Sequence, residues 1–70
     1  MNLLEQAEKD RADILSIVMA HMGWDSDKAE LWYNTPNPHL GEASPALMVY
    51  FGRSDKVFNF IKNAIEGNTP

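Results

Sequence analysis

The chain has 70 residues, which allows one domain, and no cysteine, which rules out disulfides and cysteine-based zinc sites. Hydrophobic residues at 44% and charged residues at 23% fit a folded globular protein, though a domain this small buries only about 60% of its unfolded surface. Ten acidic residues outnumber six scattered basic ones, and the net charge of −4 argues against direct nucleic-acid binding.

The first helix is predicted over 3–22. Leu4, Ala7, Ile14, Leu15, Val18 and Met22 recur at helical spacing, and the alkyl stem of Arg11 can lie across the stripe they make. Glu5 and Lys9 stand four apart in the favourable order. Residues 14–20 are apolar nearly all round, which calls for cover on several sides. The later helices provide it, or else a partner does. Self-association through Ile17 and Met19 is the expectation under the second alternative. Residues 14–22 are too few and too interrupted to span a bilayer. The opening Met-Asn-Leu-Leu-Glu lacks the basic-then-apolar order of a signal peptide. A cytoplasmic location with no membrane contact is therefore expected.

Gly23 is placed to end the first helix, Asp25 to cap the second, and Asp27 to face the positive end of its dipole. The second helix runs to about residue 34, with Ala29, Leu31, Trp32 and Tyr33 as its apolar side. Residues 35–41 follow, Thr35-Pro36-Asn37-Pro38-His39-Leu40-Gly41. Proline holds φ near −65° and moves the preceding residue out of the α region, so Thr35 and Asn37 are predicted extended and the segment non-helical. Gly41 is expected at positive φ. Ser44-Pro45 then marks a helix start, serine as cap and proline as first residue. This third helix, over about 45–51, is predicted to turn Leu47, Met48 and Phe51 inward and to stop at Gly52. Ser54 is expected to cap a fourth helix with the stripe Val57, Phe58, Ile61, Ala64 and Ile65, widened by Phe60 and ended by Gly67. The reading is an all-α single domain, a small bundle of about four helices with a rigid, proline-rich connector between the second and third.

No catalytic set stands out. His21 reads as a helix-end residue rather than a base, and His39 as a solvent-facing or partner-facing residue of the connector. Asp25-Ser26-Asp27 resembles the start of a calcium loop, but Glu30 and Pro36 stand where its glycine and glutamate belong. No phosphate-binding glycine pattern occurs, and neither an enzyme nor a cofactor is expected. The methionines Met19, Met22 and Met48 suit a core, and less commonly an adaptable surface.

Lys28-Ala29, Trp32, Thr35-Pro36-Asn37-Pro38, Leu40-Gly41 and Ser44-Pro45 together follow one pattern. It resembles the C-terminal toxin-binding domain of the Xre/MbcA/ParS antitoxins, over roughly 18–67. That pattern reads Lys-Ala, two residues, Trp, two residues, Thr-Pro-Asn-Pro, one residue, Leu-Gly-Gly, and then Ser-Pro. Here Glu42 replaces the second glycine, and Glu30-Leu31 reverse the family's usual leucine-then-polar order. The resemblance implies an antitoxin-type domain that neutralises a toxin, most often a RES-domain enzyme that consumes NAD, by covering its active site. Only about one helix precedes the matching segment, too little for the DNA-binding helix-turn-helix such antitoxins carry. The expected binding face is Trp32, Tyr33, Pro36, Asn37, Pro38, His39, Leu40 and Gly41. A second contact is expected from Lys62, Asn63, Glu66, Gly67 and Asn68. Trp32 is left between core and interface. The alternative function is a small homo-oligomeric structural or regulatory module with no toxin partner.

Overall fold

A computed structural model describes residues 2–67. Four helices follow in order: α1 (Leu3–Met22), α2 (Ser26–Asn34), α3 (Pro45–Tyr50) and α4 (Ser54–Ile65), with a single 3₁₀ turn (Pro38–Leu40) between α2 and α3. Every pair of helices but α2 and α4 packs closely, and α4 also meets the 3₁₀ turn. Among the described residues the only β pairing is one isolated bridge, Asn37 to Ala43. No described helix is long and apolar enough to cross a membrane.

Local chemistry sets most helix ends. Asn2 caps α1 by accepting from the Glu5 backbone N–H at 2.8 Å, and Asp25 caps α2 by accepting from that of Lys28 at 2.8 Å. Gly23 ends α1 at φ 70°, its N–H donating to the Met19 carbonyl. Ser44 caps α3 through the Leu47 N–H, with Pro45 at the first helical position. Ser54 departs from expectation. It is the first residue of α4, the cap position falls on Arg53, and no side chain bonds there.

The core is one cluster: Ile14, Leu15 and Val18 from α1, Ala29 and Tyr33 from α2, Val49 from α3, and Val57 and Ile61 from α4. Ala29 and Tyr33 stand four apart on one face of α2, and Val57 and Ile61 do the same on α4. This closes the apolar half of α1 against three other helices within the chain. Ile17 and Met19 are half-buried against the core and offer little surface to a second copy.

Several predicted inward positions face water instead. Leu4 and Met22 are exposed because α1 has 20 residues against nine in α2 and 12 in α4, so its ends overhang its neighbours. Leu31 is exposed on the outer side of α2, while Glu30 beside it pairs with Arg11. In α3 the inward residues are Pro45 and Val49, with Met48 half-buried, whereas Leu47 and Phe51 are exposed. Ala64 and Ile65 in the last turn of α4 are also exposed. Lys9 pairs with Asp13 at 2.9 Å, one turn on, in place of Glu5.

Candidate partner-binding surface

The connector is ordered by Asn37. Thr35 (φ −100°, ψ 133°) and Asn37 (φ −125°, ψ 120°) are extended, as the prolines after them require. The Asn37 side-chain oxygen accepts from the His39 N–H at 2.9 Å. Its carbonyl accepts from the N–H groups of Leu40 at 2.9 Å and Glu42 at 3.0 Å, and its own N–H donates to Ala43 at 3.1 Å. The segment is thus not wholly non-helical: Pro38-His39-Leu40 closes one 3₁₀ turn, with Gly41 left-handed at φ 69° behind it. Glu42 follows, also at φ 69° and the only described non-glycine residue at positive φ. A left-handed residue bearing a Cβ costs roughly 1–2 kcal/mol, so Glu42 is a strained position.

Pro36, Pro38 and His39 are exposed, Leu40 is half-buried, and Gly41 faces solvent. The His39 ring stacks on Phe60 of α4, with centroids 5.6 Å apart and planes 24° apart, and docks the turn against that helix. A groove of about 450 Å³ runs between them, lined by His39, Leu40, Met48, Lys56, Asn59 and Asn63 beside Phe60. It brings together three of the expected residues, His39, Leu40 and Asn63. Met48, Lys56, Asn59 and Phe60 also line it and were not among the expected contacts. For the three on α4 the signal was their spacing with Asn63, since 56, 59, 60 and 63 share one side of the helix.

The remaining expected residues do not join this groove. Lys62 and Glu66 lie on another side of α4, in a groove of about 340 Å³ shared with Ile17 and Phe58. Gly67 is exposed beyond the helix end, and Asn68 lies outside the described residues. Trp32 is half-buried and packs on Trp24, with ring centroids 6.2 Å apart. The two tryptophans line a small apolar cleft of about 120 Å³ with Val18, His21, Met22 and Ile65. Phe60 lines this cleft as well as the connector groove and separates the two.

Tyr33 is a core residue and not a partner contact, being only 4% exposed. The Arg11 guanidinium stands 5.9 Å from its ring centroid. Burial pushes the Tyr33 phenol above its ordinary pKa, and the Arg11 charge partly opposes the shift. Its four-residue spacing from Ala29 was the sign that it turns inward. Asn37 is likewise occupied, its side-chain oxygen holding the turn.

The exposed part of this surface can bury proline, histidine and phenylalanine edges and can offer amide and ammonium groups to a partner. Among the described residues no three histidine, aspartate or glutamate side chains come together as a metal site. The chain shows no match to known protein families, to curated proteins or to solved structures.

Proposed function

We propose that this protein is an antitoxin-type domain that neutralises a partner toxin, a RES-domain enzyme consuming NAD, by covering its active site with the connector and the adjoining side of α4. The carrying observation is the connector itself. Its Thr-Pro-Asn-Pro run follows the antitoxin pattern and is held in one shape by the hydrogen bonds of Asn37, with Pro36, Pro38 and His39 outward. A surface already ordered loses little conformational freedom on docking. Phe60 and His39 supply aromatic area next to Lys56, Asn59 and Asn63, a mixture suited to an interface centre with a polar rim. A blocking protein needs no chemistry of its own, and on this reading the domain binds neither cofactor nor duplex DNA.

The test is co-expression with a RES-domain toxin, taken from the neighbouring reading frame where one encodes it, scored by growth and cellular NAD. The intact chain restores both. His39→Glu combined with Asn63→Glu abolishes rescue while far-UV circular dichroism stays native. Rescue by that variant removes the connector groove as the binding face. Failure of the intact chain to rescue removes the function.

A further inference from the structure

Four of the five most exposed large apolar side chains among the described residues gather away from the connector, the fifth being Leu31 on α2. Leu3 is 87% exposed, Tyr50 76%, Leu4 68% and Phe51 66%, and all four belong to the first turn of α1 or the C-terminal end of α3. Tyr50 and Phe51 pack edge-to-face on each other, with centroids 5.5 Å apart, and have little other cover. Between the two helix ends runs a cleft of about 460 Å³, walled by Leu3, Ala7, Val49, Tyr50 and Phe51, with Asp10 also lining it. Asp10 is 9% exposed and accepts a hydrogen bond from Gln6 at 2.9 Å; among the described residues no lysine or arginine pairs with it. Arg53 lies between Gly52 and Ser54, both of which line the cleft, and among the described residues it has no acidic partner.

We infer that this end of the bundle is a two-fold interface between two copies of the chain, built on Leu3, Tyr50 and Phe51, with Arg53 of each copy reaching toward Asp10 of the other. A two-fold contact uses one patch twice, so the patch must complement itself. This one does: Asp10, which has no basic partner among the described residues, lines the cleft beside the apolar side chains of Leu3, Tyr50 and Phe51, and Arg53, which has no acidic partner among them, follows Gly52 at its edge. A strongly acidic or strongly basic partner would satisfy one of the two charges and repel the other. The alkyl stem of Arg53 can cover apolar wall while its guanidinium approaches the carboxylate. The apolar contact supplies most of the affinity and the charge pair sets the register. The total surface is 4967 Å², so an interface of standard size, roughly 800 Å² per partner, would take about a sixth of it. The cleft shares no lining residue with the connector groove, so the contact leaves that groove open.

The experiment is sedimentation velocity of the full chain with a parallel ¹⁵N dilution series. Dimer is expected within a range of about 5–500 μM, the regime of a weak complex. Dilution should move the amide signals of Leu3, Ala7, Tyr50, Phe51 and Arg53 and leave those of Pro-flanked Asn37 and His39 unmoved. Leu3→Glu and Phe51→Glu should each weaken association at least about tenfold and Arg53→Glu by less, with native helicity. Leu31→Glu, an equally exposed control on α2, should leave it unchanged. Leu3 projects almost wholly into solvent, so its variant tests the interface even if the Phe51 variant misfolds. A chain that stays monomeric through this range overturns the inference. A dimer that survives Leu3→Glu overturns it too, as do dilution shifts confined to another face.

Discussion

The α2–α3 connector and the α3–α4 turn join helices of the same bundle by opposite means. The connector ties itself with side-chain and backbone bonds centred on Asn37, lays His39 on Phe60, and leaves Leu40 half-buried. The α3–α4 turn is closed by backbone alone: the N–H groups of Phe51, Gly52 and Arg53 donate to the carbonyls of Leu47, Val49 and Met48. No side chain caps α4, and the two aromatics at the end of α3 stand in solvent. A loop specified by proline and asparagine carries its conformation in its residue types. A turn specified by main-chain bonds leaves its side chains free for something else, here a large exposed apolar surface.

The largest effect that sharpens the contrast lies within α3. Val49→Ala should lower stability by about 2 kcal/mol, since Val49 is buried in the core cluster to which all four helices contribute. Phe51→Ala, two residues on and larger, should change monomer stability by less than about 0.5 kcal/mol. Urea unfolding at low protein concentration measures both, and equal losses would mean that Phe51 is packed after all.

A smaller contrast concerns the caps. Asn37→Ala should cost about 1 kcal/mol by freeing the His39 N–H. Ser54→Ala should cost less than about 0.5 kcal/mol because its hydroxyl caps nothing. A Ser54 effect equal to that of Asn37 would erase the distinction between the two connections.

Glu42→Gly moves stability the other way. Glycine adopts the left-handed conformation without a Cβ penalty, and its greater freedom when unfolded offsets part of the gain. A net increase of about 0.5–1 kcal/mol is expected in the same unfolding assay, and a decrease would show that the Glu42 side chain contributes to the turn.

The smallest effect comes from Tyr33. Its phenol has a folded-state pKa raised above the ordinary value of 10.0 by burial, so the fold favours the neutral form. That contribution is complete below about pH 10, the unfolded value, and is lost as pH rises through the folded one. Thermal melts on either side of this window should show a loss that Tyr33→Phe reduces.

The parts of this molecule that were legible in the sequence are those whose cause is local. Gly23, Asp25, Gly41 and Ser44-Pro45 each act within a few residues through φ preference or a single hydrogen bond, and helix order and number followed from them together with apolar periodicity. The connector's extended residues were legible for the same reason, while its 3₁₀ turn arises from hydrogen bonds that form only once Asn37 folds back. Facing was decided by tertiary packing. All six residues of α3 are apolar or aromatic apart from the Tyr50 hydroxyl, so periodicity could not say that Val49 turns in and Leu47 out; contact with α1, α2 and α4 made that choice. Tyr33 and Trp32, adjacent in sequence, point about 100° apart on the helix, and only the position of α1 sent Tyr33 beneath Arg11 and left Trp32 against Trp24. The exposure of Leu3 and Leu4 has the same origin: a 20-residue helix carries its apolar stripe past the ends of shorter partners, and how far those partners reach is settled by the assembled bundle alone.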